Sequence, residues 1–294
     1  MANIKIHEVS GINIPNTGYT HGGIFHADEL FCTALFRILN PEFKVTRGFR
    51  PDQSTADVVY DIGGGEFDHH GEPEFRDDGT GVPYASFGKV WRKYGCFFLH
   101  KAGQKKFDRQ FVERLDAHDN GGARNQLSEV ISSLNPNWDD PTEKPDTQFQ
   151  VALDFVQGIL ERQLVSAQAF EKAESIANEV KAQDTVVGVI DHFAPIIGYL
   201  AGDQSDKKFL VYPAIRGGWN AQVIPVAPGS REPKCPFPKE WWGQPEDNLP
   251  DDVEITFCHN TGFMIASSTK EGAIHACAVA LVKEAERILS DSEA

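Results

Sequence analysis

Cysteine is scarce and scattered in this chain of 294 residues. The five cysteines, at 32, 96, 235, 258 and 277, form no Cys-x-x-Cys pair, which excludes a thiolate zinc ribbon or a redox dithiol. Cys32 and Cys277 lie in apolar helical patterns, so the set reads as reduced core residues of a cytosolic protein. Long apolar runs are missing as well. Met1-Ala2-Asn3-Ile4-Lys5 has no apolar signal core and no later stretch reaches membrane-spanning length, so the expectation is a soluble, cytoplasmic chain without a membrane partner. Positive charge is short too: 28 Lys and Arg stand against 43 Asp and Glu, a formal net charge of −15. That charge repels polyanions at long range, so tight non-specific binding of nucleic acid would need a local basic cleft. Short oligonucleotides and small phosphoesters remain compatible with it.

What the chain does have is histidine and carboxylate in three clusters. In the first to attract notice, Asp61-Ile62-Gly63-Gly64-Gly65 is followed by Phe67-Asp68-His69-His70. Val58-Val59-Tyr60 reads as the end of a buried strand, which puts Asp61 where open α/β sheets hold their ligands. The three glycines free the backbone to turn His69 and His70 back toward Asp61. The second cluster, Thr20-His21-Gly22-Gly23-Ile24-Phe25-His26-Ala27-Asp28-Glu29, precedes a helical run from Leu30 to Leu39. The plainer reading of Asp28 is a helix N-cap, and Asp28 and Glu29 also complement the positive end of that helix. The third, Asp116-Ala117-His118-Asp119-Asn120-Gly121-Gly122, ends an amphipathic stretch in which Phe107, Phe111 and Leu115 share a face. A helix stop explains it without a metal.

Imidazole mixed with carboxylate suits Mn²⁺, Mg²⁺ or Zn²⁺. The side chains on offer exceed the needs of one ion, so the expectation is two divalent ions, with Mn²⁺ first. A bridging carboxylate, for which Asp61 is the natural candidate, would hold them about 3.5–4 Å apart, an arrangement suited to phosphoester or phosphoanhydride cleavage.

The organisation predicts an α/β catalytic domain over residues 1–146, a helical linker over 147–183 and a smaller α/β domain over 184–294. In the linker, Phe149, Leu153, Val156, Leu160, Leu164, Ala167, Phe170 and Ala177 recur at helical spacing, giving one or two long helices. Beyond it, Thr185–Ile190, Phe209–Pro213 and Trp219–Pro225 read as strands, the last two pairing across Arg216-Gly217-Gly218 as a hairpin. Trp241 and Trp242, in a Pro-rich excursion, are read as packing, with base stacking as the alternative. Ile255–His259 and Gly262–Ala266 are further strands. Ser267-Ser268-Thr269-Lys270 would open a C-terminal helix from Glu271 to Leu289, either as an anion site or as a plain cap.

The order His21…His26-Ala27-Asp28-Glu29, Asp61-Ile62-Gly63-Gly64, Phe67-Asp68-His69-His70, Tyr84-Ala85-Ser86-Phe87-Gly88 and Asp116-Ala117-His118-Asp119-Asn120-Gly121 resembles the Myg (melanocyte proliferating gene) family, a branch of the DHH phosphoesterase superfamily. Leu134-Asn135-Pro136-Asn137-Trp138, Phe149-Gln150-Val151-Ala152, His259-Asn260-Thr261-Gly262-Phe263 and Lys270-Glu271-Gly272-Ala273 look like later signatures, so the likeness runs nearly end to end. The resemblance implies a DHH-type domain with a mainly parallel sheet flanked by helices, joined by long helices to a DHH-associated-like domain. It implies that His21, His26, Asp28, Asp61 and His69 bind metal, together with Asp116 or Asp119. His70 would face the phosphate, and Asp68 would orient a neighbouring imidazole. Substrate would be held by His259, Ser267, Ser268, Thr269, Lys270 and Gly272, with Arg216 and Arg231 as weaker candidates.

The chain departs from the family where Ser267-Ser268 replaces a His-His pair. The activity implied is 3′–5′ exonucleolytic cleavage of RNA or short oligonucleotides. One alternative is a small-molecule phosphoesterase acting on pyrophosphate, a cyclic dinucleotide or a nucleoside phosphate, and another is a non-catalytic, metal-stabilised binding protein. The sequence is silent on oligomeric state, a homodimer being one option.

Overall fold

The computed structural model describes residues 3–140 and 142–292. The chain divides into two compact units, Met1–Glu171 and Lys172–Ala294. It is an α/β protein with one parallel and one mixed sheet.

In the first unit β1 (Thr17–His21), β2 (Lys44–Gly48) and β3 (Val58–Val59) form a parallel sheet in the order β2-β1-β3. Tyr19 pairs with Thr46 on one side and with Val59 on the other, so β1 is central. Parallel strands need a crossover, and α1 (Ala27–Leu39) supplies the one from β1 to β2. Its apolar residues bury almost all round, with Leu30, Phe31, Cys32, Ala34, Leu35 and Phe36 fully enclosed. The remaining helices of this unit are α2 (Ser86–Tyr94), α3 (Lys101–Phe107), α4 (Glu113–Asp119) and α5 (Gln126–Ser132). A π turn, Asp108–Val112, joins α3 to α4. Phe107 and Leu115 are buried as their spacing predicts, and Phe111 packs edge-on against Phe31.

A single helix, α6 (Pro145–Lys181), occupies the predicted linker. Phe149, Leu153, Val156, Leu160 and Leu164 belong to the core of the first unit, and Ala173, Ala177 and Val180 to a core of the second. Phe170 shares the helical spacing but stays exposed.

The second unit carries β4 (Val187–Val189), α7 (Ile197–Leu200), β5 (Phe209–Pro213), β6 (Trp219–Val223), β7 (Ile255–Cys258), β8 (Met264–Ser267) and α8 (Lys270–Ser292). The sheet order is β4-β5-β6-β8-β7, parallel only between β4 and β5. The β5–β6 hairpin forms as expected. Gly217 and Gly218 adopt φ of 94° and 74°, which side chains with a Cβ rarely take, and the Ala214 N–H donates to the Gly218 carbonyl. The β4 strand is shorter than the run Thr185–Ile190, because Thr185 and Gln183 turn their side chains onto Val187 and Val189 backbone groups. Trp241 is buried against Phe237, and the Trp242 indole donates to the Phe237 carbonyl, so both tryptophans pack. All five cysteines are free thiols, and Cys32 and Cys277 are fully buried. Among the described residues no helix is long and apolar enough to cross a membrane.

Candidate metal centre

His21 ends β1 and Asp61 follows β3, so adjacent parallel strands deliver an imidazole and a carboxylate at the carboxyl end of the sheet. Asp61 itself sits at φ 57°, a conformation unusual for a residue with a Cβ. Gly63 and Gly64 continue at φ 94° and 72° and turn the chain back. The return is closed by hydrogen bonds from Asp61 N–H to the Phe67 carbonyl, 3.1 Å, and from Gly64 N–H to Asp68 Oδ2, 2.6 Å. His69 is thereby brought over Asp61. The first turn of α1 adds Asp28 and Glu29, and the last turn of α4 adds Asp119.

The side chains converge. His21 Nε2 lies 3.1 Å from Glu29 Oε1 and 3.4 Å from Asp61 Oδ2. His69 Nε2 lies 3.0 Å from Asp119 Oδ2, 3.2 Å from Asp61 Oδ1 and 3.8 Å from Asp28 Oδ2. Among the described residues, three overlapping sets offer ligand atoms within 4.8 Å of one another: His21, His26, Glu29 and Asp61; Asp61, His69 and His70; and Asp28, His69 and Asp119. His21, His26, Asp61, His69, His70 and Asp119 line a cavity of about 690 Å³, together with His118, Ser128 and Ser132.

Both central imidazoles have their outer nitrogen engaged by an oxygen. His21 Nδ1 is 3.1 Å from the Gly22 carbonyl, and His69 Nδ1 is 3.3 Å from Asn120 Oδ1. A carbonyl only accepts, so the Gly22 contact fixes the proton of neutral His21 on Nδ1 and leaves the Nε2 lone pair facing the carboxylates. Asn120 Nδ2 donates to the Asp116 and Pro83 carbonyls, which turns its oxygen toward His69 and gives the same tautomer there. This is the arrangement of histidines that ligate metals, whose far N–H is held by an oxygen acceptor.

The electrostatics call for cations. Asp28 and Glu29 are wholly buried, and burial together with neighbouring carboxylates holds Asp28 well above the usual range and raises Glu29. Burial pulls the imidazoles down, yet His21, bonded to Asp61 and Glu29, and His69, bonded to Asp119 and Asp61, are each raised to about 11. Asp61 is lowered despite its burial, by those same two histidines. Among the described residues no Lys or Arg lines the cavity. Four carboxylates thus face two imidazoles, and divalent ions would neutralise that charge while using every donor. The residues therefore fit divalent ions.

Residues 18–281 match the family model MYG1_exonuc, described as Uncharacterised protein family (UPF0160). The chain belongs to this family. It is 29% identical over 315 residues to the MYG1 protein C694.04c of Schizosaccharomyces pombe, covering 89% of this chain and 96% of that protein. To the proteins named MYG1 exonuclease of Mus musculus and Homo sapiens it is 27% identical, covering 87% of this chain and 82% and 83% of theirs. No solved structure matches. The MYG1 match spans the whole metal centre and the start of α8.

Several residues take places other than those expected. Asp116, one of two candidate ligands in its cluster, does not join the centre: its Oδ2 is 2.5 Å from Arg76 Nη2, and it is fully buried. Asp119 occupies the place instead. Asp28 is not the N-cap of α1, which is His26, whose N–H the Glu29 carboxylate accepts at 2.9 Å. Asp28 instead accepts from the N–H groups of Ser86, 2.8 Å, and Phe87, 2.7 Å, closing the N-terminus of α2. Asp68 Oδ1 lies 2.6 Å from His70 Nδ1, so the neighbouring imidazole it meets is that of His70.

The sequence reading missed four contributors. Glu29 was read only as a helix-end charge. Ser86 Oγ donates to Asp61 Oδ1 at 3.2 Å, Asn120 steadies His69, and His118 lines the cavity. His118 Nδ1 accepts from the Asn125 N–H, so neutral His118 carries its proton on Nε2. The motif letters named these residues, but nothing in their spacing gave their direction.

In the second unit most of the expected substrate groups are engaged by neighbours in that unit. Thr269 Oγ1 accepts from Gly272 N–H at 3.0 Å and so caps α8, which is the plain-cap reading. Ser267 is buried and Thr269 N–H donates to its hydroxyl, while Ser268 follows it at the end of β8. Lys270 Nζ lies 3.4 Å from Asp191 and over the Trp219 ring. His259 Nδ1 contacts Thr261 Oγ1 at 2.9 Å, with its ring against Phe263. Arg216 and Arg231 are exposed.

Proposed function

We propose that this chain is a metal-dependent phosphohydrolase that trims RNA or short oligonucleotides from the 3′ end. The observation that carries the reading is that His21 and His69 both present Nε2 to Asp61 while an oxygen holds each Nδ1. The names MYG1 exonuclease borne by relatives support a nuclease. In this reading His21, His26, Glu29 and Asp61 would hold one divalent ion, and Asp61, Asp28, His69 and Asp119 the other, Mn²⁺ being the first choice and Mg²⁺ or Zn²⁺ the alternatives. Bound ions polarise a phosphoryl oxygen and lower the pKa of water to about 7. His70, 62% exposed and oriented by Asp68, and His118, with its Nε2–H, are placed to donate to phosphate oxygens. Ser86 and the Ser86 and Phe87 amides fix the carboxylates, so the donors need little reorganisation.

The absence of Lys and Arg from the cavity lining favours a second reading, hydrolysis of a small phosphoester, for which about 690 Å³ is an adequate volume. One experiment separates them. A 5′-labelled RNA with a free 3′ end and one with a blocked 3′ end are incubated with the protein and Mn²⁺. Stepwise shortening of the free RNA alone is expected. Equal cleavage of both removes the exonuclease reading, and turnover of pyrophosphate or a nucleoside phosphate with neither RNA touched establishes the second.

A further inference from the structure

A chain with a net charge of −15 carries a stretch of opposite sign along the helices that lead to Asp119. Lys105, Arg109 and Arg114 are exposed and line one open groove of about 720 Å³ along α3, the π turn and α4. Among the described residues none of the three takes part in an ion pair, whereas the neighbouring Asp108 is held by Arg76. Glu113 shares the groove, with its carboxyl raised by burial and by Asp78.

The π turn explains how three cations reach one side. In a straight α-helix residues five apart are about 140° out of line at 3.6 residues per turn. The i→i+5 turn, closed by Glu113 N–H on the Asp108 carbonyl, brings Arg114 back toward the line of Arg109. The same helical path runs on to Asp119, fourteen residues beyond Lys105 and so about 21 Å further along the helix axis at 1.5 Å per residue.

We propose that this face is a track for the phosphates of a single nucleic-acid strand whose end lies in the metal centre. The inference rests on the nuclease reading for its occupant. Exposed, unpaired Lys and Arg at helical spacing are matched to a polyanion, and they overcome locally the repulsion that the whole chain exerts.

The test is binding without catalysis, on the full chain. A 5′-fluorescein 12-nucleotide RNA is titrated by anisotropy without added metal, at 50 and 200 mM salt. Three phosphate contacts to a single strand predict a salt slope of about −2, so the wild type weakens about 20-fold across that range. Lys105→Gln/Arg109→Gln/Arg114→Gln is expected to lose most of that slope and to bind about tenfold more weakly at low salt. Lys105→Arg/Arg109→Lys/Arg114→Lys is expected to keep it, which excludes a folding defect as the cause. An identical slope in all three proteins, no RNA binding by the wild type, or the same charge dependence toward phosphatidylserine vesicles in place of RNA overturns the proposal. If the slope collapses in the Gln variant but no RNA is ever trimmed, the track stands and the exonuclease reading falls. If RNA is trimmed and the slope is unmoved, the reverse holds.

Discussion

Asp61 stands between two histidines, with Oδ2 3.4 Å from His21 Nε2 and Oδ1 3.2 Å from His69 Nε2. One carboxylate thus serves both halves of the centre, and the geometry makes it the least replaceable side chain there. Asp61→Asn is expected to lower metal-dependent hydrolysis by at least about 100-fold and to reduce bound metal below two ions per chain. Elemental analysis beside a turnover assay checks both. Wild-type turnover in the variant would remove the bridging assignment.

A divalent metal would compete with protons for the same atoms. His21 and His69 are raised to about 11 from 6.5, so in the metal-free chain their contribution to stability is complete below pH 6.5 and is lost as pH rises toward 11. The melting temperature in EDTA should therefore fall between pH 6.5 and 9.5, while saturating Mn²⁺ flattens the fall. Binding of metal at pH 7 should release protons, read by a pH indicator in weak buffer. A metal-independent melting profile would contradict the fit of these residues to the ions.

Asp28 links the centre to the scaffold through the two α2 amides. Asp28→Ala leaves two buried N–H groups without an acceptor, and a loss of about 2–4 kcal/mol is expected. Asp28→Asn retains one acceptor oxygen and should lose less. Urea unfolding of the metal-free proteins measures the order, and an Ala variant as stable as the wild type would show the amides to be satisfied otherwise.

Arg76 should matter for stability far from its own sequence neighbours. It bridges Asp108 and Asp116 beneath the centre, with Arg76 and Asp116 both buried. Arg76→Met strands a buried carboxyl at a cost of about 3–5 kcal/mol, and Arg76→Met/Asp116→Leu is expected to recover much of it. No recovery in the double variant would mean that Asp116 has another role. Metal content unchanged in the double variant would support Asp119 as the ligand.

The sequence by itself determined the local elements and the family. Spacing and apolar runs marked α1, the long helix, the β5–β6 hairpin and the tryptophan packing, because those depend on short-range periodicity and turn chemistry. The three His and carboxylate clusters marked candidate metal ligands, because few other uses gather such side chains beside glycine turns. Direction was left to the tertiary structure. Asp116 and Asp119 lie three residues apart on one helix, and only the packing of α4 against Arg76 sends the first into an ion pair and the second to His69. Glu29 and Asp28 are adjacent, yet helix rotation turns one to His21 and the other to the α2 amides. The basic groove was hidden for the same reason: a π turn, which no periodicity reveals, sets Arg109 and Arg114 on one side. Residue type fixes what a side chain can do, and the placement of its backbone decides what it meets.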